Sequence, residues 1–203
     1  MKIKTSFVLF LAAAFAFGID ALIATKPDAC CEAMAAGPFP KNSIYQANAA
    51  FTTDTNRPFT LGELRGRPVV LTMFFASCGY ACPLIVTDMQ AIGAILPPAI
   101  RDRALFVLVS FDTARDQPAV LAEYRVQRSL DAQWILLHGT ADSVRELAAL
   151  LGVKYQQAAD GAFSHSNLIT LLNPEGEIIH QRSGLQGGLA EAAAALSNAS
   201  RPD

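Results

Sequence analysis

The chain has 203 residues, 52% hydrophobic and 17% charged, with a formal net charge of -2. Such a length accommodates one domain, or one domain and a leader, with enough chain for a substantial core. The near-neutral balance, with no basic run or stripe, excludes nucleic acid as a partner.

Lys2 and Lys4 precede "SFVLFLAAAFAFGI", an uncharged run that Asp20 ends. The run is short for a membrane-spanning helix, which needs roughly 20 apolar residues. Residues 1–24 therefore read as a signal peptide, with Ala14 to Ala16 or the alanines at Ala21 and Ala24 as cleavage sites. An uncleaved N-terminal membrane anchor, extended through "ALIA", is the rival reading. Either places the rest of the chain in an oxidising space, the periplasm or another extracytoplasmic compartment. Residues 25–48 shift to Pro, Ala, Gly and polar residues and read as a linker. Within it, adjacent Cys30 and Cys31 could bridge each other only in a strained ring. They read either as two exposed thiols or as an auxiliary soft-metal or redox site.

From residue 49 to 203 the pattern alternates strand and helix. "AAFTTDTNRPFTL" predicts a hairpin around Asp54 to Arg57, and "LGELRG" a short helical turn. "PVVLTMFF" is a continuous apolar run, as in a strand covered on both faces. Apolar residues at helical spacing follow from Pro83 to Leu96, with the proline placed for a helix start. Ala104 to Phe111 gives a second buried strand, and "QPAVLAEYRVQRSL" a helix. "WILLHG" predicts a short strand, and "ADSVRELAALLG" a helix closed by Gly152. "SNLITLLNPEGEIIHQRSG" reads as a hairpin turning on "NPEG", and a last helix begins near Gly188. The order predicts an α/β fold: a thioredoxin-like central sheet flanked by helices, with an added N-terminal β-hairpin.

The chemistry concentrates in "FFASCGYACP", where Cys78 and Cys82 stand between a strand and a helix. With Pro83 in the first turn, Cys82 lies beside the N-cap, where unpaired N–H groups and the helix dipole favour a thiolate. Residues i and i+4 share a helical face, so both sulfurs could point at one ion or oxidise together. Two thiolates form a soft donor pair suited to Cu(I) or Zn(II). Of the three histidines, His138 ends a strand and His180 lies in a hairpin arm, both as structural residues. His165 precedes the apolar strand "NLITLL", at its mouth, and on the residues alone reads either as a structural histidine or as a third donor.

"FFASCGYACP", "VSFDTARDQPAVLAEY", "HGTADSVRELAALLGVKY" and "SHSNLITLLNPEGEII" together resemble the Sco/SenC family of copper-binding, thioredoxin-fold proteins, from about Tyr45 to Arg182. The resemblance implies Cys78, Cys82 and His165 as ligands of copper, Cu(I) or Cu(II). It places Asp112 near the metal as a supporting or weak axial group, with a turn-capping role as its alternative. Arg115 and Asp116 match the same stretch as structural residues. Two positions depart: the family often has proline after the first cysteine and aspartate before the histidine, where this chain has Gly79 and Ser164.

The function so implied is a metallochaperone that delivers copper to, or matures the copper site of, a respiratory cytochrome oxidase. Its partners would be the oxidase's copper-site subunit and a thiol reductant protein. The alternative is a thiol–disulfide oxidoreductase of the cell envelope, with Cys78 and Cys82 as the redox pair. Peroxidase chemistry fits poorly, since no Thr or Arg surrounds Cys78 in the peroxidase manner. Zinc would bind the same donors only as a contaminant.

Overall fold

A computed structural model describes residues 37–159 and 163–200. The expectations for the leader and for Cys30 and Cys31 fall outside the described residues. Strands β1 (Ala50–Thr53) and β2 (Pro58–Thr60) form the expected hairpin. Strand β3 (Val69–Phe74) follows a short 3-10 turn at Leu61–Leu64. Helix α1 (Ala81–Ile95) leads through a four-residue helix α2 (Pro98–Arg101) to β4 (Leu105–Ser110). Helix α3 (Pro118–Gln127), β5 (Trp134–Gly139) and α4 (Ala141–Leu151) complete the alternation. A small hairpin of β6 (Tyr155–Gln157) and β7 (Phe163–His165) precedes β8 (Leu168–Leu172), β9 (Ile178–Ser183) and α5 (Leu189–Ala199).

Seven strands make one sheet in the order β2-β1-β5-β4-β3-β8-β9. The centre is parallel: Val69 to Phe74 pair in register with Leu105 to Ser110, and Phe106 to Val109 with Trp134 to Leu137. Every residue of β3 and β4 is buried, as their unbroken apolar runs require of strands covered on both faces. The two polar exceptions are bonded: Thr72 donates to the Leu168 carbonyl at 2.7 Å and Ser110 to the Asp116 carboxylate at 2.6 Å. The N-terminal hairpin adds to the β5 edge, antiparallel, with Phe51 opposite Gly139. Helix α3 starts on a proline, and α4 is capped by Thr140 and closed by Gly152 in the left-handed region. The expected α/β architecture, with its extra hairpin, is the one observed.

The folded part begins earlier than the composition suggested. Residues 25–48 read as linker, yet Ile44 and Tyr45 are buried in a 3-10 turn, and Gly37 onward belongs to one compact unit. Ile44 N–H donates to the Gly176 carbonyl at 2.9 Å. The Tyr45 ring lies where a side chain at Gly176 would be, and Gly176 has φ +83. The "NPEG" turn thus requires its glycine for both backbone and space, and it receives the segment that precedes β1. Two buried apolar residues among Pro, Ala and polar neighbours left no periodic signal. Among the described residues, no helix is long and apolar enough to cross a membrane.

Candidate metal centre

The carboxyl end of β3 runs into the loop that carries Cys78, and the loop is pinned from below. Asp116, 1% exposed, accepts the Ala76 N–H at 2.7 Å and the Ser110 hydroxyl at 2.6 Å through the same oxygen. That carboxyl ties the start of the loop to the end of β4. Burial pushes it above the usual carboxylate range, against the pull of Ser110 and Ala76, with Asp112 adding to the rise. Cys78 N–H then donates to the Phe75 carbonyl at 3.2 Å, closing a turn.

The residue at the N-cap of α1, Tyr80, makes no side-chain cap bond. The Cys78 sulfur lies there instead and accepts the Cys82 N–H at 3.4 Å. Burial alone would raise the Cys78 thiol. Hydrogen bonds from the Cys82, Tyr80 and Ala81 N–H groups outweigh it, and the thiol is lowered. Cys82 lies in the first turn but is 1% exposed. Burial pushes its thiol well up; the Phe75 backbone bond opposes this, while Cys78 and Asp116 reinforce it. The sequence reading gave the activated thiol to Cys82; the geometry gives it to Cys78. The reason is local: Cys82 is inside the helix, pointing into the core, and Cys78 reaches back over the helix end.

His165 closes β7, directly opposite Tyr155, rather than opening β8. Its Nδ1 lies 3.1 Å from the Ser166 carbonyl. As a donor there, Nδ1 carries the proton and leaves Nε2 with a free lone pair. A backbone carbonyl therefore orients the ring, the task that the missing acid at Ser164 would have had. The ring abuts Phe111 at 5.0 Å and Phe75 at 5.9 Å between centroids.

Two sulfurs and one ring nitrogen, from Cys78, Cys82 and His165, all lie within 4.8 Å of one another. Thiolate and imidazole donors bound to one ion at about 2.0–2.3 Å stand at most about 4.6 Å apart, so only small adjustments separate this cluster from a ligated one. Both cysteines are free thiols. Soft sulfur with imidazole favours Cu(I) or zinc over hard cations, so the donor set fits copper.

The remaining sequence candidates lie elsewhere. Asp112 is buried, but its carboxylate is ion-paired with Arg115 and accepts the Arg115 N–H at 3.2 Å, the turn-capping alternative. It is not among the clustered donors. His138 lies in β5 opposite Thr52, and His180 in β9 opposite Leu171, both outside the cluster. Asp116 is structural, as expected, yet bears directly on the cysteine loop. The aromatic residues Phe75 and Phe111 were read only as strand ends; each follows the last residue of a central strand, which was the signal available.

A protein of Stutzerimonas stutzeri named "Putative copper-binding protein" is 30% identical over 127 residues, spanning 61% of this chain and 61% of that relative. Among solved structures, Bradyrhizobium japonicum ScoI with copper bound superposes with a TM-score of 0.64 at 21% identity, covering 74% of this chain and 96% of that one. BsSco, described as carrying a disulfide switch and as a member of the Sco family of cytochrome c oxidase assembly proteins, superposes at 0.64 with 18% identity, covering 74% and 90%. At those identities the structures establish the shared fold. The SCO1/SenC family model matches residues 40–200, most of the sequence, and the chain belongs to that family.

Proposed function

We propose that this chain binds copper through Cys78, Cys82 and His165 and hands it on during maturation of a respiratory cytochrome oxidase, in the cell envelope. The observation that carries the reading is the convergence of two thiols and one imidazole, donated by the β3–α1 junction and by the β6–β7 hairpin, within 4.8 Å. Copper in such a site is cargo, and the chain supplies soft donors of unequal acidity on a partly exposed edge. Cys78 and His165 are half-buried and Cys82 is buried, so an incoming partner meets Cys78 and His165 first. The copper-bound relative and the oxidase-assembly description of BsSco support the cargo and the client. The leader supports export, with or without retention as an anchor. The test is copper stoichiometry on purified, reduced chain, with the sulfur-to-Cu(II) absorption recorded in parallel. A single equivalent of copper is expected, lost in Cys78→Ser and Cys82→Ser, with the absorption changed in His165→Ala. Copper binding indifferent to all three substitutions would overturn the reading.

A second reading, thiol–disulfide exchange, is favoured by the asymmetry of the pair. A lowered, half-exposed Cys78 thiolate can attack a client disulfide, and the buried Cys82 thiol can then resolve the mixed disulfide, passing two electrons to the client. A dithiol of this kind could reduce the client's own copper-ligand cysteines before metal enters. Measured reduction potential and exchange rate decide it: slow exchange from a very stable disulfide would exclude the role.

A further inference from the structure

The three donors are not held alike. Cys78 and Cys82 stand on the junction of β3 and α1, inside the main sheet's framework. His165 stands on the β6–β7 hairpin, a separate two-stranded sheet whose ladder closes on itself from Lys154 to Ser166. Among the described residues no ladder joins it to the seven-stranded sheet, so side chains help to seat the hairpin. Rings are prominent among them.

Phe111 is the centre of the seat. It is 3% exposed and stacks on Tyr155 at 5.3 Å and 18°, while meeting Phe163 and His165 at 5.0 Å each. Phe75 meets Phe111 at 5.5 Å, Phe163 at 5.3 Å and His165 edge-on at 5.9 Å. The Phe111 N–H donates to the Phe74 carbonyl at 3.0 Å, which ties the residue after β4 to the last residue of β3. Phe75 accepts the Cys78 N–H through its carbonyl. One wall of rings thus abuts the cysteine loop through backbone and the imidazole through edge-on and tilted ring contacts. Aromatic pairs of this geometry favour offset and edge-on contact, so they fix ring orientation as well as distance.

We propose that Phe111 is a positioning residue for the metal site: by seating the β6–β7 hairpin it brings the His165 imidazole to the two thiols. The inference rests on the copper reading for its metal-bound arm and stands without metal for its other arm. Phe111→Leu keeps apolar volume in the core but removes the stack on Tyr155 and the tilted contacts with Phe163 and His165.

In the metal-free, reduced chain the His165 ring protons should show aromatic ring-current shifts in NMR spectra. In Phe111→Leu these shifts should collapse and amide exchange in β6 and β7 should accelerate about tenfold or more, with the midpoint of global unfolding nearly kept. In the copper arm, Cu(II) affinity should fall about tenfold or more and the imidazole nitrogen coupling in the EPR spectrum should weaken, as in His165→Ala, while Cu(I) stays on the thiols. Phe163→Ala, on the hairpin itself and half-buried, repeats both arms while leaving the buried rings of Phe75 and Phe111 in place. Unchanged His165 shifts and unchanged exchange in both variants would overturn the inference. If the wild-type chain takes up no copper, the copper reading fails, and the metal-free arm still decides the role of Phe111.

Discussion

The Cys78 sulfur accepts the backbone N–H of Cys82 at 3.4 Å, so the first thiol of the pair caps the helix that carries the second. One thiol is thereby lowered by N–H donors at a helix end, and the other is raised by burial, only four residues apart. In the reduced, metal-free chain, iodoacetamide should modify Cys78 first. Each unit of separation between the two thiols is worth about tenfold in thiolate at neutral pH, so the expected ratio of rates is about tenfold or more. Peptide mapping after partial alkylation measures it, and equal labelling of the two residues would contradict the assignment.

The same asymmetry sets the pH dependence of stability. Cys82 has a raised folded value, so its contribution is fully present below the unfolded value of about 8.5 and is lost as pH rises toward the folded one. Cys78 is lowered, so its contribution is present above about 8.5 and fades as pH falls through its folded value. Solvent screening makes the Cys78 share the smaller, because that thiol is only half-buried. Denaturant midpoints of the reduced, metal-free chain should therefore drop on the alkaline side of about 8.5. Cys82→Ala should flatten that decline, at the cost of a lower plateau; a decline of equal steepness in the variant would assign it to other groups.

Asp116 offers a sharper cost. Its carboxyl accepts Ala76 N–H and Ser110 hydroxyl in a buried place, so Asp116→Ala leaves two donors without partners at the base of the cysteine loop. Each orphaned donor costs about 1–3 kcal/mol. Asp116→Asn keeps an acceptor and should cost less. Its carboxyl is raised, chiefly by burial, so in the wild type its share of stability is present at acid pH below the unfolded value near 4 and lost as pH rises through the folded value. The asparagine variant should lack that slope. Urea unfolding between pH 4 and 7 measures both effects, and an alanine variant as stable as wild type would show that the loop does not depend on this carboxyl.

Much of this fold was legible because apolar runs and helix punctuation agreed. Val69–Phe74 and Leu105–Ser110 are near-continuous apolar runs, a proline stands near the start of each of the first two long helices, and Gly152 marks a stop. The β6–β7 hairpin was not legible, since "YQQ" and "FSH" are three-residue strands with mixed polarity and no apolar run. Its stability resides in rings contributed by distant strands, which no local window contains. For the site, the identities of the donors could be named, but the unequal state of the two thiols could not. That inequality depends on which sulfur turns into the core, a choice made by the loop path under Asp116.

Helix α1 is also held at its middle. Asp88 and Arg182 form an ion pair with both side chains 5% exposed, and the Gln186 N–H adds a bond to the same carboxylate at 2.9 Å. This clasp joins the cysteine helix to β9 and to the turn before α5. Arg182→Met strands a buried carboxylate and should cost about 3–5 kcal/mol. The double variant Arg182→Met with Asp88→Leu should recover part of the loss, because the unpaired charge is gone. A single variant destabilised by less than about 1 kcal/mol would place the pair in solvent-screened surroundings instead.

Gly79 is where the chain departs from the proline often found in its family, and the departure has a physical reading. Gly79 is exposed, it is not among the positive-φ residues, and a Cβ there would meet nothing within 4 Å. Neither strain nor crowding calls for a glycine. What glycine adds is freedom in the open state, at an exposed position between the two sulfurs that a methyl could occupy without contact. Gly79→Ala should therefore stabilise the chain by about 0.4–1 kcal/mol through the unfolded ensemble. Copper stoichiometry should stay as in wild type, while transfer of copper to an external thiol chelator should slow if loop opening limits release. Stopped-flow transfer and denaturant unfolding on the same samples separate these quantities. A stabilised variant with unchanged transfer makes Gly79 a neutral replacement; a destabilised one means that the loop adopts, in solution, a backbone conformation that only glycine reaches.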